Sequence, residues 1–345
     1  MKTVLFTLIF TLSSVCAWSE GFVVDHSCTD LSQIPDEWVT KAKAELHVIY
    51  KHTSHGSQII SGMNGLKSFP DFGNTYAWSD THSGDASSLS LDDRAFKSPY
   101  PDLSQGDTDG NNNGISDWAD WTRELLEDPD FINVNVILWS WCNIAGHDIP
   151  RYLRSMEWLI AQFGKGGTAA RAAAHPVQFV FITGHANGGG ENDSSDSQNR
   201  LIREHCRTHD RMLFDFADLE NYDPDNNYFL DKRVTDALYY DKNSSHDANW
   251  ASEYLLRHPG SELYRITKGD SSYGGISSCA HSNGPDNDAF LNCTLKGRAA
   301  WHLFARLAGW KPGGSGTGGG PGGNSSGGSF SGQVSMAPVT SLLLK

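Results

Sequence analysis

With 27 Lys and Arg against 41 Asp and Glu, this 345-residue chain carries a formal charge of −14 at pH 7. It has no basic excess with which to grip a nucleic-acid backbone or an anionic membrane, so neutral glycans and small esters remain as ligands. An apolar share of 38%, with 11 Trp and 16 Phe, can fill a substantial core, and a globular domain is expected.

The first residues, MKTVLFTLIFTLSSVCAWS, give one lysine, an apolar run, then Val15-Cys16-Ala17. This is the layout of a secretory signal over residues 1–17, too short for the roughly 20 residues of a membrane span. Cys16 as a lipidated cysteine is the alternative, though Ser13-Ser14-Val15 is a poor approach to one. Secretion or cell-surface display follows, and export favours disulfides. Removal of the signal leaves Cys28, Cys142, Cys206, Cys279 and Cys293, an odd number. Cys279 with Cys293 is the first expected pair and Cys142 with Cys206 the second.

Four apolar runs read as buried strands, at 46–50 (LHVIY), 134–139 (VNVILW), 177–183 (VQFVFIT) and 212–216 (MLFDF). Amphipathic helices are expected at 35–46, 115–128, 149–163, 197–209 and 295–310. This alternation predicts an α/β domain over 18–311, a three-layer α/β/α sandwich with a mainly parallel central sheet. Residues 68–117 are polar and turn-rich, and read as an insertion over one end of the sheet. From 312 to 345 the chain is a Gly/Ser-rich tail, either a disordered end or the remnant of a surface-sorting tail.

In such sheets ligands bind beyond the carboxyl ends of the strands. The loops there are His52-Thr53-Ser54-His55-Gly56, Ser140-Trp141-Cys142-Asn143, Gly184-His185-Ala186-Asn187 and Ala217-Asp218-Leu219-Glu220. A serine becomes a nucleophile when a base takes its proton and fixed donors receive the oxyanion. Ser54, with a strand before it and Gly56 after it, is the candidate, and Asn143 is a candidate oxyanion donor.

These residues, with a histidine before the final helix, resemble a divergent member of the SGNH, or GDSL-type, hydrolases. The likeness spans about Ile34 to Trp310, on short motifs such as HTSHGSQ, SWC, TGH and DFADLE. It implies an α/β/α fold, ester hydrolysis without a cofactor, and often an acyl group on a carbohydrate as substrate. Carried over, Ser54 matches the nucleophile, Asn143 the oxyanion amide and His281 the base, with His185 and His246 next in line. The family's Asp-x-x-His is missing, because Ser278 stands three residues before His281. Asp218, Asp286 and Asp288 are candidate orienting groups, and Gly73 or Gly84 the second oxyanion donor.

One further segment offers oxygen ligands at alternate positions around a glycine: Asp107, Asp109, Asn111, Asn113, Asp117 and Asp120. It fits a structural calcium loop imperfectly, with Asp in place of Glu at the last position, and equally an Asn/Gly loop before an Asp-capped helix. Trp118, Trp139 and Trp141 suit a sugar-facing wall or the core. The expected protein is a secreted serine esterase with a glycan or small-ester substrate. The rivals are a non-catalytic carbohydrate-binding or surface protein on the same fold, and a His-based lyase or metal-assisted enzyme using His52, His55 and His185.

Overall fold

The computed structural model describes residues 21–93, 103 and 113–313. Up to Lys311 the chain forms one compact unit; Pro312–Lys345 is a second, of which only the first two residues are described.

Seven strands form one parallel sheet, β1 (Val23–Val24), β2 (His47–His52), β3 (Trp78–Ser79), β4 (Leu89–Asp92), β5 (Val136–Ser140), β6 (Gln178–Ile182) and β7 (Met212–Phe214). Their order is β1-β7-β6-β5-β2-β4-β3. A small antiparallel hairpin, β8 (Tyr239–Tyr240) with β9 (Ala248–Asn249), stands apart from it. The four expected strands are all present and central. The segment expected to be an insertion instead supplies β3 and β4, which extend the sheet at one edge. Both are short, so their two-residue and four-residue periods are too brief to register in the sequence pattern.

Side chains alternate between two apolar layers, as a pleated sheet covered on both faces requires. Val48, Tyr50, Val136, Leu138, Val180 and Ile182 face α1 (Asp36–Glu45), α2 (Ser57–Ser68) and the last helix, α9 (Leu291–Leu307). Ile49, Ile137, Trp139, Phe179 and Phe181 face α3 (Asp117–Glu127), α4 (Ile149–Phe163) and α5 (Ser194–Thr208). Trp118, Trp139 and Trp141 are buried in this second layer, with Trp139 and Trp141 stacked 5.4 Å apart, so they are core rather than a sugar-facing wall. Among the described residues the shorter helices are α6 (Asp218–Asn221), α7 (Trp250–Arg257) and α8 (Glu262–Lys268), and the 3₁₀ turn Pro285–Phe290 leads into α9.

Helix α9 is buried almost all round, and α2 packs directly on it. The contact is made by two glycines: a Cβ on Gly62 would fall 1.8 Å from the Cys293 carbonyl oxygen, and one on Gly297 would fall 2.4 Å from the Gly62 carbonyl carbon. Only glycine lets the backbones meet this closely.

The helix after β2 crosses one face of the sheet and the helix after β5 crosses the other. Since β2 and β5 are neighbours, their carboxyl-end loops diverge and leave a crevice between them, the switch point at which open α/β sheets hold ligands.

Candidate active site

The loops on either side of this crevice bring a thiol and an imidazole together. Thr53 N–H still bonds the Ser140 carbonyl at 3.1 Å, tying the end of β2 to the end of β5. The 3₁₀ turn Ser54–Gly56 then lifts Ser54 and His55 over the sheet edge. Gly56 is required here by close approach, because an added Cβ would lie 2.3 Å from His52 Cβ and 2.7 Å from Tyr50 Oη. Its φ of −61° is an ordinary helical value.

His55 is buried, and its two ring nitrogens are both engaged. Nδ1 lies 2.8 Å from Cys142 Sγ and Nε2 lies 2.7 Å from Asp236 Oδ2. An ionised carboxylate only accepts, so Nε2 carries a proton and donates it to Asp236. One further proton is then shared between Nδ1 and the sulfur, as thiol with imidazole or as thiolate with imidazolium. Ser54, exposed, donates its hydroxyl to the same sulfur at 3.3 Å.

Two more imidazoles lie flat against His55, one on each face. His185 stacks at 3.9 Å with 1° between the planes, and His281 at 3.9 Å with 4°. His185 Nδ1 bonds the Ala186 carbonyl at 2.8 Å. His281 is exposed and held at φ +61°, a backbone state that non-glycine residues rarely adopt. The Cys279–Cys293 disulfide, expected from the sequence and present, ties the loop that carries it to α9.

The electrostatics favour a reactive sulfur. A hydrogen bond from His185 is the largest influence holding the Cys142 thiol below its ordinary value, helped by the Ser54 hydroxyl and the His185 charge against partial burial. Burial lowers His185, but its bond to Cys142, the Glu220 charge and the Ala186 carbonyl outweigh it and raise the imidazole. Burial lowers His55, seconded by the His185 charge, so this ring stays neutral more readily and suits a base. Burial pushes Asp236 up, yet the His55 bond and the surrounding positive groups leave it below the usual carboxylate range.

Among the described residues three sets of side chains have the donors for a metal ion, Asp25-His26-Asp218 away from the crevice and His55-Cys142-His185 and His55-Asp236-His281 at it. The ring stacking argues against a shared ion in the crevice: with centroids 3.9 Å apart and planes parallel, the in-plane lone pairs of the rings lie in separate planes and do not meet at one point. His52, paired in the sequence reading with His55, turns instead toward Asp93, 3.7 Å away.

The expected site residues separate. Ser54 and His281 both reach the cluster, but neither bonds the other: Ser54 meets Cys142, and His281 stacks on His55. Asn143 is exposed, with its side-chain carbonyl accepting the Ala145 N–H at 2.9 Å. Asp218 pairs with the His26 ring through a short contact, at the end of β7. Three strand spacings of about 4.8 Å, roughly 14 Å, separate β7 from β2, which takes Asp218 out of reach of the crevice. Asp288 pairs with Lys268 at 2.6 Å, and the Asp286 carbonyl accepts from the same lysine. His246 lies by Asp241. The N–H groups of Gly73 and Gly84 are occupied by the Pro70 carbonyl and the Ser90 hydroxyl. The expected Cys142–Cys206 bridge is absent, and both are free thiols. Helix α5 starts at the carboxyl edge and runs back, so Cys206 near its end sits at the opposite edge of the sheet.

Of the calcium-type segment, Asp107, Asp109 and Asn111 lie outside the described residues. Asp117 and Asp120 are buried in the first turn of α3, where carboxylates complement the helix dipole. Asn113 donates to both oxygens of Asp120, at 3.1 and 3.2 Å, so these two residues already meet each other.

Cys142, His55 and Asp236 are the residues that sequence reasoning does not bring together: it places Cys142 in a disulfide, His55 beside His52 as a metal ligand, and Asp236 nowhere. Asp236 lies in the turn before β8, far along the chain, and only its 2.7 Å bond to His55 reveals it. The chain matches no protein-family model, no curated protein and no solved structure, so function is argued from the site itself.

Proposed function

We propose that this chain is a hydrolase of acyl groups, with Cys142 as nucleophile, His55 as general base and Asp236 as the group that orients His55. The observation that carries it is the continuous Cys142–His55–Asp236 relay at 2.8 and 2.7 Å across the switch point of a parallel sheet. It is the arrangement of nucleophile, base and orienting acid that acyl transfer uses on unrelated folds.

In the forward step His55 Nδ1 holds the sulfur proton and the thiolate attacks the carbonyl carbon. The carbonyl electrons move to oxygen, and the Ser54 hydroxyl, 3.3 Å from the sulfur, is a donor for that oxyanion. Collapse expels the alcohol, which takes its proton from His55 and leaves a thioester on Cys142. Water then attacks the thioester, with His55 taking its proton, and releases the acid and the thiolate. Asp236 keeps the imidazole in one tautomer throughout. The resemblance to SGNH hydrolases supports an ester, on a glycan or a small molecule, as substrate. The Cys279–Cys293 disulfide supports an oxidising compartment such as the one to which a secretory leader directs a chain.

A second reading keeps Ser54 as the nucleophile of a serine esterase, favoured by its exposure beside Cys142. Turnover of p-nitrophenyl acetate by Cys142→Ala and Ser54→Ala separates the two. The first should lose at least about a thousandfold in kcat and the second about tenfold to a hundredfold. The reverse ranking assigns the nucleophile to Ser54, and an inactive parent protein returns weight to a non-catalytic carbohydrate-binding role.

A further inference from the structure

We infer that the buried ion pair of Lys296 and Glu220 is a positioning device for the site, locking together the four segments that carry His55, His185, Asp236 and His281. This rests on the nucleophile assignment above.

Both side chains are completely shielded from solvent, and Lys296 Nζ meets Glu220 Oε1 at 2.5 Å. Each remaining atom reaches toward one segment of the site. Glu220 Oε2 accepts the Ala186 N–H at 2.6 Å, next to His185. Lys296 also donates to the side-chain carbonyl of Gln58, three residues past His55, and rests 3.4 Å over the Phe216 ring. Gln58 Nε2 then donates to the Ala280 carbonyl at 2.5 Å and to Ser282 Oγ at 3.0 Å, gripping the chain on both sides of His281. Ser282 Oγ donates to the Asp236 carbonyl at 2.7 Å, and Asn292 Nδ2 donates to that same carbonyl at 2.9 Å and to Glu220 Oε1 at 3.1 Å. The network closes on itself through the main chain of the catalytic segments.

Stability alone does not explain such a pair. A buried ion pair replaced by apolar side chains of similar size is often neutral or even more stable, because desolvation offsets the attraction. What the pair supplies is a fixed geometry, together with a field. The Glu220 charge is among the groups that raise His185 and partly offsets the burial that lowers His55, while the Lys296 charge is among those that lower Asp236. The pair therefore sets part of the field at the site as well as its geometry.

The test is the pH dependence of Cys142 alkylation by iodoacetamide, read by peptide mapping, which needs no substrate. The Lys296→Met/Glu220→Gln double variant should still fold, with a lowered melting temperature because the new amide leaves one buried donor, Ala186 N–H or Asn292 Nδ2, without its acceptor. The midpoint of the alkylation profile should rise by about one pH unit, slowing alkylation below the midpoint about tenfold. Ser282→Ala leaves the ion pair intact and removes the hydroxyl through which Gln58 and Asn292 are tied to the Asp236 carbonyl. It should cost at least about tenfold in kcat with KM unchanged, and this variant decides if the double variant does not fold. Profiles and kcat that superimpose on the parent's overturn the inference. A parent thiol that titrates at the ordinary cysteine value instead overturns the nucleophile assignment, so the two failures are distinguishable.

Discussion

At the scale of single residues, function turns on one sulfur and the imidazole that faces it. His55→Ala should lose nearly as much kcat as Cys142→Ala, and the double variant little more, because groups that act as one unit do not lose activity additively. His281→Ala should cost less, since His281 meets His55 only through its ring face. Turnover measured on the three variants checks this ranking, and a dead His281→Ala beside an active His55→Ala would return the base to the final loop. His302 gives a pH prediction independent of catalysis. Burial pushes it down to about 4, with Arg298 adding to the effect against its bond to the Asp30 carbonyl. A histidine whose folded value lies below its unfolded one of about 6.5 stabilises fully above that value. Its contribution is lost as pH falls from about 6.5 toward about 4, by up to ~3 kcal/mol. His302→Gln should flatten that acid slope in urea titrations across this window, and an unchanged slope would place the proton uptake elsewhere.

At the scale of elements, the two glycines between α2 and α9 hold the loop after β2 in place. Gly62→Ala should destabilise by about 2–4 kcal/mol, because the clash is with backbone and no side chain can move to relieve it. A melting temperature within a degree of the parent's would mean that α2 can slide on α9. Opening the Cys279–Cys293 bridge by substitution should cost about 3 kcal/mol for a loop of 14 residues and loosen His281, and calorimetry of the Cys279→Ala/Cys293→Ala variant measures it. The elements themselves were legible. Helix α4 runs over the residues that its periodicity predicts, and the central strands differ from their apolar runs by a residue or two. Strands β3 and β4 were not, because four residues or fewer on an edge carry too little pattern, and helices α2, α7 and α8 lie outside every expected helix.

At the scale of the whole molecule, parallel topology is what turns separate loops into a site. The sequence placed the chemistry at the carboxyl edge, where three of the four loops it singled out bring side chains to the cluster and the fourth supports them through Glu220. Which residues pair across that edge was not legible, since it depends on strand order. The loop after β7 lies three strands away from β2 and takes Asp218 out of reach, whereas a turn more than 180 residues past His55 supplies Asp236. Cysteine parity was equally blind, as it counts thiols without knowing which edge of the sheet each one occupies. Lys296 escaped because a lysine in an amphipathic helix reads as solvent-facing until α9 proves to be buried on every side, and Glu220 because a glutamate in a loop shows no sign of its burial.

The most direct test of Cys142 as the nucleophile is to quench the protein in acid during turnover of p-nitrophenyl acetate and map the peptides by mass spectrometry. A single acetyl group on the peptide that carries Cys142, absent from Cys142→Ala, is the expected result. An acetyl group on Ser54, or turnover with no acetylated peptide at all, would contradict it.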